Sequence, residues 1–365
     1  MSLSVGIVGL PNSGKSTLFN ALTRSNVQAS PHMFTTIDPN LGIVTLSDHR
    51  LKPISEIFES RKRVPADVTF VDVAGLIRGA HRGEGLGNKF LGQLRNVDAL
   101  CMVLRCFGQK DVPLSLGELN PVLELEILET ELILADLEVV ERALEKRARS
   151  VSLGEKKYLA QAEALEMARD ALSRGIPARK GDIPPHLVEQ LREFSLITMK
   201  QGFIVANISE DDISSEEFIQ HNELAEASEK RGMEVVPISS RLECELSQLE
   251  ADEAEVFAGE MGLDRTALDR VAETGYQSLD LITFYTGNRN ETRAWSLPRG
   301  STAINAAGMI HTDMARGFIR AEVIKADQLI KTGSYTKARD LGIINLAGKD
   351  YPVEDRDVLL IRFNL

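Results

Sequence analysis

A glycine-rich loop near the amino terminus has the residues and spacing of a phosphate-binding site. The stretch "GLPNSGKST" fits the pattern G-x-x-x-x-G-K-[ST] and lies between an apolar stretch and an amphipathic one. In such a loop, backbone N–H groups hold phosphate oxygens, the lysine reaches the β- and γ-phosphates, and the serine hydroxyl binds Mg²⁺. The residues predicted to bind a nucleotide here are Asn12, Ser13, Gly14, Lys15, Ser16 and Thr17.

Two later segments carry groups that would complete a magnesium-nucleotide site. "FVDVAG" ends an apolar stretch in Asp-x-x-Gly, so Asp72 is expected to hold Mg²⁺ through water and the Gly75 amide to contact the γ-phosphate. A threonine in "PHMFTTIDPNLG", for which we choose Thr36, is expected to close over the metal and the γ-phosphate. The metal ligands are thus predicted to be Ser16 and Thr36, and the catalytic groups Lys15, Thr36, Asp72 and Gly75.

The residue after Asp-x-x-Gly raises a question about hydrolysis. Switch proteins of the Ras type have a glutamine there that orients the attacking water, whereas this chain has Leu76, which cannot. His81 is a candidate for this role, although a lone loop histidine is more often solvated. Asn12 suggests a partial answer by resemblance, because in K⁺-stimulated relatives of such switch proteins an asparagine at this place helps to hold a monovalent cation against the phosphates. The alternative is that Asn12 only shapes the turn.

The stretch "FIVANISEDD" is typical of a strand followed by a base-reading loop. Asn207 is expected to hydrogen-bond N7, which both purines share. Glu210 stands where an aspartate reads guanine, and Ile208 stands where a lysine is usual and would pack on either purine. The longer carboxylate weakens guanine selection because its geometry no longer suits the guanine N–H donors. A second base loop is predicted at Ser239 and Ser240.

Composition indicates an ordinary globular protein. The 365 residues are 43% apolar and 26% charged, with a net charge of −12, which disfavours contact with bulk nucleic acid. From Ser278 onward, basic residues outnumber acidic ones by 12 to 10, which is weak support for RNA contact by this part. No apolar run is long enough to span a membrane and no secretion signal is present, so we expect a cytoplasmic protein.

The chain divides into three predicted regions. Alternating strand and helix patterns at 1–119 and 200–277 indicate a nucleotide-binding domain with a largely parallel sheet. Residues 120–199 contain two long amphipathic runs and are predicted to form an inserted antiparallel helical hairpin, although helices packed only on the sheet are an alternative. Residues 278–365 are predicted to form a small mixed domain.

The motifs together resemble the YchF / Obg-like ATPase family. The resemblance rests on "GIVGLPNSGKSTLFNAL", "FTTIDPNLG", "FVDVAGLIRGAHRGEGLGNKFL", "ANISE" and "AAGMIHTDMARGFIRAEVI" and covers nearly the whole chain. It implies an α/β fold with a Ras-like P-loop NTPase domain, an inserted helical hairpin and a C-terminal β-grasp (TGS) domain. It also implies a magnesium-dependent ATPase linked to ribosomes, and Leu76 matches the family. A histidine that some bacterial members carry after "RCF" is replaced here by Leu114.

Several functions remain open at this point. The leading expectation is a monomeric, ATP-hydrolysing switch that binds the ribosome, needs Mg²⁺ and is activated by K⁺. A GTP-specific switch is the nearest alternative. A scaffold that binds nucleotide without hydrolysing it is favoured by Leu76. A P-loop kinase is disfavoured by the Asp-x-x-Gly motif and by the absence of an evident lid.

Overall fold

Strands and helices alternate along the chain as the apolar pattern predicts. A computed structural model describes residues 3–27, 40–73, 86–109, 112–152, 158–212, 219–249 and 267–364. The strands of the described residues are β1 (Ser4–Val8), β2 (Leu41–Thr45), β3 (Lys62–Val64), β4 (Asp67–Asp72), β5 (Ala99–Cys106), β6 (Gln201–Ile208), β7 (Val235–Ile238), β8 (Leu281–Gly287), β9 (Glu291–Pro298), β10 (Phe318–Lys325), β11 (Asn345–Ala347) and β12 (Asp357–Phe363). The helices are α1 (Lys15–Val27), α2 (Leu51–Ile57), α3 (Leu86–Asn96), α4 (Pro121–Ser152), α5 (Leu159–Ser173), α6 (Pro185–Leu191), α7 (Ile219–Arg231), α8 (Ser240–Leu246), α9 (Ala267–Ser278), α10 (Ala303–Ile310), α11 (Thr312–Arg316), α12 (Ala326–Thr332) and α13 (Tyr335–Asp340).

A six-stranded sheet in the order β2-β4-β1-β5-β6-β7 positions the predicted nucleotide site. The pairs from β4 through β1, β5 and β6 to β7 are parallel. Every residue of β5 is buried, which is typical of a parallel strand covered on both faces. Because neighbouring parallel strands end at one edge, the carboxyl ends of β1, β4, β5 and β6 lie at the edge where α/β proteins bind ligands.

The inserted region is built on the long helix α4, which contributes to two hydrophobic cores. Its first half supplies Leu125, Leu128 and Leu132 to the core beneath the parallel sheet. Further along, Ile133 and Val140 belong to a second core that α5, α6 and their connecting residues complete. The helix therefore packs on the sheet through its first half and against α5 and α6 beyond it, while the inserted antiparallel hairpin stays a prediction.

One buried carboxylate ties the inserted region to α3. Asp136 of α4 has no exposed surface. It accepts hydrogen bonds from the backbone N–H groups of Ile197 and Thr198, from the Thr198 hydroxyl, and from Arg95 Nη1 at 2.9 Å. Lys200 Nζ donates to the carbonyls of Arg95 and Val97 at the end of α3. The end of α3 is therefore held to α4 by the Arg95–Asp136 contact and to the residue before β6 by Lys200.

The chain separates into two compact units. The first comprises residues 1–43 and 69–275, and the second comprises 44–68 and 276–365. Residues 44–68, which the sequence places in the nucleotide domain, thus pack with the C-terminal part. They supply α2 and β3, and β3 pairs in parallel with β9 at the edge of that unit's sheet. The functional domain boundaries stay a prediction.

The second unit has a mixed sheet in the order β11-β10-β12-β8-β9-β3. Its pairs are antiparallel except β12–β8 and β3–β9. A separate hydrophobic core lies on each face: Leu51, Tyr285 and Leu329 belong to one, Phe284 and Ala306 to the other. The sheet and its helices agree with the small mixed domain predicted from sequence, and the β-grasp (TGS) assignment stays a prediction.

Two further observations concern the cysteines and the helices. Cys101, Cys106 and Cys244 are free thiols, and burial raises the pKa of the first two well above the ordinary range. In the part of the chain that the structure describes, none of the helices combines the length and apolar character needed to cross a membrane.

Candidate nucleotide-binding site

The predicted phosphate loop lies between the end of β1 and the start of α1. Gly14 has φ +94° and Asn12 has φ +64°, so the loop turns through left-handed backbone that glycine adopts freely and asparagine tolerates. Gly9 is closely packed, because a Cβ there would lie 2.5 Å from the carbonyl oxygen of Val103. The amino terminus of α1 begins at Lys15 and brings unpaired N–H groups to the loop. This geometry favours an anion.

Lys15 lies inside the loop with its ammonium group largely shielded from water. Its Nζ donates to the Leu10 carbonyl at 2.9 Å, and the side chain is 7% exposed. Burial lowers its pKa, while the carboxylates of Asp72 and Glu124 act in the opposite direction. A dehydrated cation with one backbone acceptor is well suited to receive phosphate oxygens.

Asp72 and Ser16 bring two oxygen ligands together beside Lys15. The Ser16 hydroxyl donates to Asp72 Oδ2 at 3.4 Å. Burial raises the pKa of Asp72, although Lys15 and the Ser16 hydrogen bond favour its ionised form. A hard divalent cation such as Mg²⁺ prefers such oxygen ligands, and its charge would compensate the half-buried carboxylate. The donor set therefore fits Mg²⁺.

Not every predicted site residue falls within the described part of the chain. Thr36 and Gly75 lie outside it, as do Leu76 and His81. Thr17 is described and is exposed on the first turn of α1. The roles of Thr36 and Gly75 at the γ-phosphate thus stay predictions.

Asn207 connects the phosphate loop with the second base loop. Its buried side chain donates from Nδ2 to the Ser13 carbonyl at 2.9 Å and accepts from the Ser240 N–H at 3.0 Å through Oδ1. An amide nitrogen carries two protons, so one remains for a purine N7. The hydroxyls of Ser13 and Ser240 are buried without a partner among the described residues. Ser239 caps α8 through a hydrogen bond from the Leu242 N–H.

The other two base-loop residues differ sharply in exposure. Ile208 is 8% exposed and packs in the core beneath the sheet, so only a small part of it is available to a base. Its packing on a purine stays a prediction. Glu210 is exposed, and its Oε1 lies 3.4 Å from Nε of Arg241, the residue after Ser240. The carboxylate expected to face the base is thus paired with an arginine in the first turn of α8, directly after the second base loop.

A segment after β5 lies against the phosphate loop and is not evident from sequence. Asn12 Nδ2 donates to the Pro113 carbonyl at 3.2 Å, and the Ser115 hydroxyl donates to the Pro11 carbonyl. Leu114, where some family members have histidine, lines a cavity of about 570 Å³ beside Asn12. The sequence signal for this contact is weak: a single charged residue, Arg105, within an otherwise apolar strand.

The parallel sheet and the phosphate loop with its Ser16–Asp72 pair define a P-loop NTPase. Residues 4–138 match a family model described as 50S ribosome-binding GTPase. Residues 281–364 match YchF-GTPase_C, described as a protein of unknown function (DUF933).

Comparison with curated proteins gives full-length matches. The chain is 39% identical over 365 residues to the ribosome-binding ATPase YchF of Pasteurella multocida and 37% identical over 366 residues to that of Bacillus subtilis, with 100% of each chain covered. It is similar to the solved structure of the Schizosaccharomyces pombe YchF GTPase, with a TM-score of 0.87, 31% identity and coverage of 99% of this chain and 98% of that one. The chain belongs to the YchF family. The resemblance and the P-loop NTPase fold expected from the sequence are confirmed.

Proposed function

We propose that this protein binds ATP with Mg²⁺, hydrolyses it slowly and acts as a nucleotide-dependent switch on the ribosome. The observation that carries the proposal is the convergence of Lys15, Ser16 and Asp72 at the mouth of one phosphate loop. The full-length relatives named ribosome-binding ATPase support ATP as the nucleotide and the ribosome as the partner. We further propose that it works as a monomer in the cytoplasm.

The chain's own residues have distinct tasks in this reaction. Lys15 moves from the Leu10 carbonyl to the β- and γ-phosphates, where its charge opposes the negative charge of the transition state. Ser16 and Thr36 would hold Mg²⁺ directly, and Asp72 would hold it through water. When bound, Mg²⁺ neutralises charge on the phosphates. Water attacks the γ-phosphorus, the bond to the bridging oxygen breaks, and ADP and phosphate leave.

The proposed preference for ATP rests on the base loops. Guanine would require a free carboxylate to accept from its N1–H and amino group, whereas Glu210 is paired with Arg241. Adenine offers an acceptor at N1 and no 2-amino group, so it does not need that carboxylate. Asn207 hydrogen-bonds N7 of either purine and therefore does not discriminate between them. K⁺ beside Asn12 is the proposed activating cation.

Parallel titration of fluorescent ATP and GTP analogues, with phosphate release measured in K⁺ and in Na⁺ buffers, tests the proposal. We expect tighter binding of ATP, slow turnover that K⁺ raises, and co-sedimentation with ribosomes. A clear preference for GTP would instead identify a GTP-specific switch. Turnover equal to that of buffer, with ribosomes present, would identify a scaffold that does not hydrolyse the nucleotide.

A further inference from the structure

Arg105 is a charged side chain held in the interior at the end of β5. It is 1% exposed and is among the largest fully buried side chains of the described residues. Its guanidinium donates from Nε to the Phe107 carbonyl at 3.2 Å, from Nη2 to Val112 at 3.0 Å and from Nη1 to Pro113 at 2.8 Å. It also lies over the Phe107 ring, 4.6 Å from the centroid. All three acceptors belong to the segment that follows β5.

A second buried group, Glu124, lies close to Arg105: burial raises the pKa of its carboxyl, and the arginine charge acts in the opposite direction with a smaller effect. The Arg105 backbone N–H donates to Oε2 of Glu124 at 2.9 Å, and Glu124 is itself 3% exposed in the first turn of α4. A planar guanidinium can bond several carbonyls at fixed angles, whereas an ammonium group is a point charge on a flexible stem. Burial of such a charge is strongly unfavourable without these contacts. The arrangement therefore holds the carbonyls of Phe107, Val112 and Pro113 in place through the planar guanidinium.

The carbonyl of Pro113 joins this buried group to the phosphate loop. It accepts from Nη1 of Arg105 on one side and from Nδ2 of Asn12, at 3.2 Å, on the other. The Ser115 hydroxyl adds a second contact through the Pro11 carbonyl. Because one oxygen serves both donors, displacement of Arg105 moves the acceptor of Asn12.

The orientation of the Asn12 amide follows from that hydrogen bond. Amide nitrogen and oxygen share one plane, so holding Nδ2 at the Pro113 carbonyl also sets the direction of Oδ1. Asn12 is otherwise an exposed side chain on left-handed backbone. Its oxygen is the atom that would contact a monovalent cation near the phosphates. The direction of that oxygen thus depends on a residue 93 positions away in the chain.

We propose that Arg105 is a positioning residue for ATP hydrolysis, acting through the Pro113 carbonyl to fix Asn12 for the activating K⁺. This inference rests on the proposed function, in which K⁺ binds beside Asn12. Leu114 cannot transfer a proton or orient water, so the contribution of the segment is its geometry. Arg105 itself does not touch the nucleotide.

The test compares Arg105→Lys, Asn12→Ala and the double variant in full-length protein. We expect each single variant to lower the K⁺-stimulated turnover number by about tenfold or more, because small misplacements at a reacting centre have effects of this size. The K⁺ concentration for half-activation should rise in both single variants, and in Arg105→Lys the ATP affinity in Na⁺ buffer should change by less than about twofold. The double variant should be no slower than Asn12→Ala alone. Arg95→Lys is the matched control, since Arg95 also donates to a backbone carbonyl but lies at α3, and its K⁺ dependence should equal that of the wild type.

Ser115→Ala provides a second route, because it loosens the same segment from Pro11 without disturbing the core. It should raise the K⁺ concentration for half-activation less in Asn12→Ala protein than in wild-type protein. This comparison remains possible even if Arg105→Lys does not fold. Independent, additive effects of the variants on turnover would overturn the proposal while leaving the K⁺-activated ATPase intact. A wild-type protein that hydrolyses ATP equally in K⁺ and Na⁺ would overturn both the K⁺ assignment and this inference.

Discussion

Nδ2 of Asn207 lies 2.0 Å from the position that a Cβ would occupy at Gly14. The amide cannot move aside easily, because it is held by the Ser13 carbonyl and the Ser240 N–H. The backbone of Gly14, with φ +94°, is also unfavourable for any other residue. The phosphate loop and the base loop are therefore packed against each other at a single glycine.

Gly14→Ala should abolish nucleotide binding over the range in which the wild type binds. The added methyl group must displace either the loop or Asn207, and both contribute to the site. Titration with a fluorescent ATP analogue measures the loss. Gly92→Ala is the control, because a Cβ there meets nothing within 4 Å, so its affinity should be that of the wild type. Equal affinity in both variants would show that the packing at Gly14 is irrelevant to binding.

The factor by which Mg²⁺ increases the affinity for ATP should be smaller in Asp72→Asn than in the wild type, by about tenfold or more. Loss of a group that orients metal ligands commonly has an effect of this size. The amide keeps the shape but removes the negative charge 3.4 Å from the Ser16 hydroxyl. Calorimetric titration with Mg²⁺ and with EDTA gives the comparison.

The same titration on Ser16→Ala and on the Ser16→Ala, Asp72→Asn double variant tests whether the two residues act on one ion. The double variant should lose little more than either single one. Asp98→Asn is the control, since Asp98 accepts from the Ser4 N–H at the opposite end of β1. A magnesium effect that persists in Asp72→Asn would contradict the assignment.

Arg241→Ala should bring the affinities for ATP and GTP closer by about two- to fivefold, in keeping with the modest strength of exposed ion pairs. Removal of the arginine leaves Glu210 free to accept from guanine. Competition binding with both nucleotides measures the ratio. Glu245→Ala removes the other partner of Arg241, 3.2 Å away, and should leave the ratio unchanged. An unchanged ratio in Arg241→Ala would mean that Glu210 does not read the base.

Glu243→Gln should stabilise the protein above neutral pH. Burial raises the pKa of Glu243 from 4.5 to about 7, with Asp269 adding repulsion and the Ala267 N–H opposing it. Between pH 4.5 and 7 the unfolded chain is ionised while the native state keeps its proton, so stability falls as pH rises through this window. Above it the penalty is constant, at roughly 3 kcal/mol as an upper limit.

Thermal unfolding at pH 5 and pH 8 tests this sign. The glutamine keeps an acceptor for the Ala267 N–H, whose bond to Glu243 Oε1 measures 2.9 Å. The melting temperature of Glu243→Gln should exceed that of the wild type at pH 8 by more than at pH 5. Glu245→Gln, exposed on the same helix, should show no such difference. A gain at pH 5 that equals the gain at pH 8 would place the pKa of Glu243 in its ordinary range.

The features of the fold that could be predicted from the sequence are those set by local patterns. The phosphate loop is contiguous, so its spacing alone locates Gly14, Lys15 and Ser16 between a strand and a helix. The parallel strands follow from apolar runs. Each of these features depends on residues close together in sequence, which is why they could be predicted.

The remaining features depend on partners that are distant in the chain. Asp136 is one acid among many in a helix rich in glutamate, and only its contacts with Thr198 and Arg95 distinguish it. Residues 44–68 carry no signal that they pack with the C-terminal strands. The Glu210–Arg241 pair likewise joins the first base loop to the first turn of α8, so the sequence predicts the two base loops but not that the carboxylate is already paired.

The dual role of α4 limits how the protein can be divided. A deletion of residues 120–199 looks like the removal of an independent module. It would also remove Leu125, Leu128 and Leu132 from the core beneath the parallel sheet, and Glu124 from the buried end of β5. The insertion therefore cannot be removed as an independent module. A shortened protein that keeps the nucleotide domain intact must retain the first turns of α4, and the deletion must begin beyond them.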